Sequence, residues 1–228
     1  MSIQQLESAA RVLEPILDDL VFVGGAVVPL LLTDTAAQSA RVTRDVDAVD
    51  VKAVSIVRTY ARAEQLRELG FQEAPELMGR WQHRDADVLI DIMSPRETPL
   101  APANRWYPRA AEHATWHALP SGREIRLVDA VTFVATKLVA YESRGGRDAL
   151  ASHDLEDVLT VIASREEFLT ELAAAESTVR IEIAASLAET RAHSGFEAAV
   201  ASAAGYSAAD QARVPLIHSR IEMIVASA

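Results

Sequence analysis

The sequence contains no cysteine. Disulfides, thiolate-held zinc, iron–sulfur clusters and cysteine nucleophiles are therefore all excluded. Lysine is nearly as scarce: only Lys52 and Lys137 stand among the 22 basic residues. No apolar run reaches the roughly 18 residues that a membrane-spanning helix needs. The opening residues, MSIQQLESAARVLEPILDDL, lack the basic start and apolar centre of a signal peptide. A cytoplasmic protein with no membrane partner is expected. Positive charge is in deficit as well. The 33 acidic residues give a net charge of −11, which argues against coating nucleic acid by bulk electrostatics. There is no G-x-S-x-G elbow, no G-x-x-x-x-G-K-[ST] loop and no G-x-G-x-x-G fingerprint. His113 and His117 stand four apart but lack the glutamate of a zinc-protease helix.

What is present fits a globular chain: 228 residues, 50% hydrophobic and 24% charged. That length suits one large domain, or a catalytic domain with a smaller companion. The charge is uneven. Residues 101–150 hold seven basic and five acidic side chains, the only net-basic stretch, whereas residues 151–228 hold five and twelve. Apolar periodicity predicts a helix over 2–20, a buried strand over 20–23 and a short buried helix over 26–32. It further predicts a strand over 46–51 and a helix over 54–69 closed by Gly70. Strands are expected over 80–83, 87–93, 115–118 and 124–128, with 94–109 a proline-rich loop. Helices follow over 129–141, 154–163, 165–174, 178–193 and 214–226. The expected class is α+β, with a mixed half over 1–127 and a helical half over 128–228.

Gly24-Gly25 ends a buried strand and opens a helix. Two residues without side chains let backbone N–H groups close on an anion, although such a junction also uses glycine for steric reasons alone. Asp45 and Asp47 are two apart, so on a strand both carboxylates leave one face. They repel each other unless a cation lies between them, and oxygen-only ligands suit magnesium rather than zinc. Asp50 falls on the opposite face by parity. Asp91, between Ile90 and Ile92, is the third candidate, because an unpaired carboxylate inside an apolar strand is costly. Lys137 falls on an otherwise apolar helix arc with Phe133, Val134, Leu138 and Tyr141. It is either a charge aimed at a ligand or a stem packed on the core with its amine in water. Asp154 is either the N-cap of its helix, with Asp157 at N3, or a functional acid.

Together, Val23-Gly24-Gly25, Asp45-Val46-Asp47 and Asp91 resemble the signature of the DNA polymerase β-like nucleotidyltransferase superfamily. The run Arg41-x-Thr43-x-Asp45-x-Asp47 further resembles its abortive-infection (AbiEii-like) toxin branch. The 19 residues between Gly25 and Asp45 make a longer connection than is usual there. The resemblance implies a nucleotidyltransferase fold, a mixed sheet flanked by helices, followed by an all-helical C-terminal domain. It implies two Mg²⁺ ions on Asp45, Asp47 and Asp91, with Asp91 also taking up a proton, and a nucleoside triphosphate such as ATP as co-substrate. Gly24, Gly25, Arg41, Thr43 and Lys137 would face the nucleotide, and Lys137 and Asp154 match the branch's later lysine and aspartate. The implied reaction moves a nucleoside monophosphate to a hydroxyl acceptor.

One known acceptor in that branch is the 3′ end of transfer RNA, with a paired antitoxin protein. Arg105, Arg109, Arg123, Arg126, Lys137, Arg144 and Arg147 could grip such an RNA end. A cationic small molecule of the aminoglycoside type is an alternative acceptor that suits an acidic protein. A non-catalytic module that binds a nucleotide or a partner is the reading from another class.

Overall fold

Pro15 decides where the first helix stops. In the computed structural model, which describes residues 2–34, 41, 43–75, 77–96, 104–144 and 148–227, α1 covers Ser2–Val12 and buries Leu6, Ala9 and Ala10. The expected helix to residue 20 is broken because proline has no N–H and its ring clashes with the preceding turn. Glu14–Asp19 forms 3-10 turns instead. β1 (Leu20–Val23) is buried throughout. The next segment is a 3-10 turn, Gly25–Val27, running into the single-turn α2 (Val28–Leu31), rather than one helix over 26–32.

β2 (Asp45–Asp50) is followed by α3 (Ile56–Glu68), which Ser55 caps by accepting from the Arg58 N–H. Gly70 follows its C-cap at φ +91°, the left-handed conformation expected of it. β3 (Phe71–Glu73), β4 (Arg80–His83) and β5 (Leu89–Met93) come next. β5 starts later than residue 87 because His83 Nδ1 accepts from the Asp85 and Ala86 N–H groups and holds a turn there. The proline-rich stretch yields α4 (Tyr107–His113), whose Pro108 sits in the first turn, where its missing N–H costs nothing. β6 (Thr115–Ala118) and β7 (Glu124–Leu127) complete the strands.

The seven strands form one mixed sheet in the order β3-β4-β5-β2-β1-β7-β6. β1 is antiparallel to β2 and parallel to β7, and β2 is parallel to β5. The other neighbours are antiparallel. Leu6, Leu20, Phe22, Leu66, Phe71, Ile90 and Ile125 fill the core around this sheet. The architecture is α+β, a mixed sheet flanked by helices.

The remaining described helices are α5 (Ala130–Ser143), α6 (His153–Ser164), α7 (Phe168–Ala174), α8 (Ser177–Thr190), α9 (Phe196–Ala204), α10 (Ala208–Gln211) and α11 (Val214–Ala226). β3, α4, α9 and α10 have no counterpart in the sequence-based expectation. By contacts the chain divides into two units, Met1–Pro29 with Val42–Asp129, and Leu30–Arg41 with Ala130–Ala228. The second unit thus takes in a stretch that precedes β2. There α5 is buried nearly all round and packs against α6, α7 and α8. Among the described residues, no helix is long and apolar enough to cross a membrane.

One buried charge group ties α3 to the sheet. Asp50 is fully buried and accepts from Arg62 Nε at 2.6 Å and from Nη2 at 3.1 Å, and Asp19 accepts from Nη2 at 2.8 Å. Burial pulls the Arg62 pKa down, and the hydrogen bonds and charges of Asp50 and Asp19 more than offset it. Removing the guanidinium leaves a buried carboxylate with no counter-charge. Arg62→Ala is expected to lower the unfolding free energy by about 3 kcal/mol, as read by urea denaturation at pH 7.

Candidate active site

Backbone register brings the three candidate carboxylates to one face of the sheet. In the parallel β2–β5 pair Asp47 stands directly opposite Asp91, and Asp45 opposite Leu89. Paired residues on adjacent strands project to the same side, and Asp45 shares that side two residues away. Asp50 leaves by the other face, where α3 supplies Arg62. The antiparallel β1–β2 pair sets Val23 opposite Asp47, so Gly24 follows next to the Asp47 side chain.

Gly24 is required here twice over. Its φ of +70° with ψ −171° is a conformation that side chains avoid. A Cβ built on it would fall within 2.7 Å of Asp47 Cβ and closer still to the carboxylate. The glycine makes room for an acid of its own sheet. Gly25 is buried at the start of the following 3-10 turn. Thr43, also buried, turns its hydroxyl to the Asp45 carbonyl at 3.2 Å and so fixes the entrance to β2.

A cation already lies among the acids. Arg80 of β4 stands opposite Asp91 in the antiparallel β4–β5 pair. Its Nε donates to Asp91 Oδ1 at 2.7 Å and its Nη2 to Asp91 Oδ2 at 2.8 Å. The same Nη2 donates to Asp45 Oδ2 at 2.7 Å. Hydrogen bonding to Asp91, helped by the charges of Asp91, Asp45 and Asp47, raises the Arg80 pKa above the ordinary guanidinium value against the cost of burial. Both oxygens of Asp91, the residue expected to serve a metal ion and a proton, are thus engaged by a guanidinium. Sequence reasoning did not single out Arg80. The signal was there: counting back from a loop over residues 84–87 sets residue 80 opposite residue 91.

On the other side of β4 and β5, a cavity of about 970 Å³ lies against α3, lined by Tyr60, Leu66, Leu77, Met78, Trp81 and Ile92 among others. It is mainly apolar, and none of the three acids lines it; Arg80 does.

Lys137, Asp154 and Arg41 belong to the second unit. Lys137 Nζ lies 3.1 Å from Asp154 Oδ1 and 2.7 Å from Asp157 Oδ2. Arg144 Nη1 lies 2.5 Å from Asp154 Oδ2. Arg41 reaches toward Glu156 and Asp157 at 3.7 and 3.8 Å. The helix cap is Ser152, which accepts from the Leu155 N–H, so Asp154 is not the cap and instead carries the buried charge that meets Lys137. Asp157, three residues on and on the same face, shares Lys137 with it rather than serving as the N3 residue of an Asp154 cap.

Other basic residues of the net-basic stretch turn to their own chain. Arg109 pairs with Asp129 at 3.0 Å, and Arg126 donates to the Ala111 carbonyl at 2.8 Å. Arg147, with Gly145 and Gly146, lies outside the described residues.

The clearance at Gly24 predicts a specific defect. Gly24→Ala is expected to displace Asp47 and lower the melting temperature, while Gly25→Ala, with no positive φ to accommodate, is expected to perturb it less. Differential scanning calorimetry of the two variants checks the order. Neither a family model nor a curated protein matches this chain.

Proposed function

We propose that the chain is a metal-dependent nucleotidyltransferase, with a nucleotidyltransferase fold carrying the acids and an all-helical domain after it. The observation that carries this reading is the convergence of Asp45, Asp47 and Asp91 on one face of adjacent strands, beside a glycine that clears space for Asp47. The donor set fits Mg²⁺: its oxygens are carboxylate oxygens, and two of the three acids already hydrogen-bond a cationic group. Asp45 and Asp47 are the residues that would hold the metal, with Asp91 the third carboxylate. When bound, Mg²⁺ would neutralise phosphate charge and activate the attacking hydroxyl.

The chain's own contribution is positioning and electrostatics. The Gly24 backbone lets the Asp47 carboxylate pack directly against the turn, so that a phosphate chain at the metal would lie next to backbone rather than to a side chain. β2 and β5 fix the carboxylates at a spacing set by their ladder, and Arg80 holds Asp91 and Asp45 in place. In the reaction, the acceptor hydroxyl oxygen bonds to the α-phosphorus as the bond from that phosphorus to the bridging oxygen breaks. Pyrophosphate leaves, and the hydroxyl proton is released to water. ATP is the proposed donor, in the cytoplasm.

The proposed acceptor is the 3′ end of an RNA such as transfer RNA, in a toxin restrained by an antitoxin protein. A second reading is a cationic small molecule of the aminoglycoside type. It is favoured by the net charge of −11 and by the engagement of Arg109, Arg126, Lys137 and Arg144 with their own chain. A non-catalytic nucleotide- or partner-binding module is the reading in which no transfer occurs.

The test is incubation with Mg²⁺, each α-labelled nucleoside triphosphate, and either total RNA or an aminoglycoside panel. Label is expected to appear in one acceptor pool. Asp45→Ala and Asp47→Ala are each expected to cut transfer to below about one-hundredth of wild type while leaving the melting temperature unchanged or raised. Transfer that persists in both variants sinks the metal assignment, and label in neither pool with the wild-type chain sinks the enzyme reading.

A further inference from the structure

We propose that Arg80 is a resident cation of the acidic site, standing where a second divalent ion would otherwise sit, so that the chain loads one metal ion, against Asp45 and Asp47. The inference rests on the transferase reading above and specifies how its metal site is loaded.

Two observations carry it. The first is the geometry of the pair. Both Asp91 oxygens accept from the fork of Arg80, at 2.7 and 2.8 Å, and the same guanidinium bridges to Asp45 at 2.7 Å. A carboxylate gripped through both oxygens has its inward lone pairs occupied, and this bidentate form is the strongest that arginine makes. The second is preorganisation. Arg80 and Asp91 are directly opposed on β4 and β5, so the guanidinium is delivered by the sheet rather than by a mobile loop. The Asp91 side chain is only 12% exposed, and withdrawing Arg80 would leave a nearly buried anion unpaired.

Charge arithmetic points the same way. Three carboxylates carry three negative charges, and the guanidinium, which does not lose its proton in proteins, cancels one. A second ion would have to sit within a few ångströms of a fixed positive charge. Like charges held that close in a half-buried site repel, and the surrounding protein screens them less than water would. Arg80 is therefore a positioning residue that supplies permanently the charge that a second ion would bring.

The experiment counts bound ions on the full chain with Mn²⁺ as the probe, by the loss of the free-ion electron paramagnetic resonance signal. One ion per chain is expected for the wild type, two for Arg80→Met, and one for Arg80→Lys, which keeps the charge and loses the fork. In parallel, the Arg80 Nε–H resonance of ¹⁵N-labelled wild-type protein is expected to keep its hydrogen-bonded shift in saturating MgCl₂. That measurement and the wild-type count decide the matter even if Arg80→Met does not fold. Two ions in the wild type, an unchanged count in folded Arg80→Met, or release of the Arg80 Nε–H on adding Mg²⁺ overturns the inference and leaves the transferase reading standing if transfer is intact. No bound Mn²⁺ in the wild type, together with no transfer, overturns both.

Discussion

Like charge held close on neighbouring strands is the constraint around which the sheet's acidic face is organised. Asp47 and Asp91 are direct partners in the β2–β5 ladder and Asp45 lies one pleat away on the same side. A parallel ladder fixes their spacing, so the acids cannot relax apart without breaking strand pairing. Two unit charges 4 Å apart interact by about 4 kcal/mol at an effective dielectric of 20, a large fraction of a domain's net stability. Such an arrangement persists only where something positive is supplied. Arg80 supplies part of it from β4, and Gly24 gives the Asp47 carboxylate its place.

The other face of β2 shows what a purely structural solution looks like. Asp50 is fully buried, and Arg62 meets it with two donors while a third contact reaches Asp19. Around Asp45, Asp47 and Asp91 the arrangement is different: Arg80 grips Asp91 through both oxygens and bridges to Asp45. In the second unit the same electrostatic rule operates on helices. Lys137 projects from the buried helix α5 to two acids of α6, and Arg144 closes on the first of them. An amine on an apolar arc finds its counter-charge inside the protein rather than snorkelling to water.

Much of this was legible in the sequence because β-strand parity is a rigid rule. The i,i+2 spacing of Asp45 and Asp47 put them on one face and Asp50 on the other, and the apolar neighbours of Asp91 marked it as costly. Gly70 followed from its place after the apolar period of α3. What escaped was set by tertiary pairing. Arg80 matters only through its register against β5, and Asp157 through the helix–helix contact that brings it to Lys137. The three-residue β3 is too short to show a period, and the short α10 and alanine-rich α9 lack a strong apolar stripe. The extension of the first helix past Pro15 overrode a local signal that was present.

In the proposed transferase the carboxylates of β2 and β5 would form a divalent-cation site rather than a set of solvated acids. A ligand that binds only the folded state raises its melting temperature in proportion to its affinity. The most direct measurement is therefore the melting temperature as MgCl₂ is titrated at constant ionic strength, for the wild type and for Asp45→Asn/Asp47→Asn. The account predicts a saturable rise in the wild type that is absent in the double variant. An equal rise in both, or none in either, would contradict it.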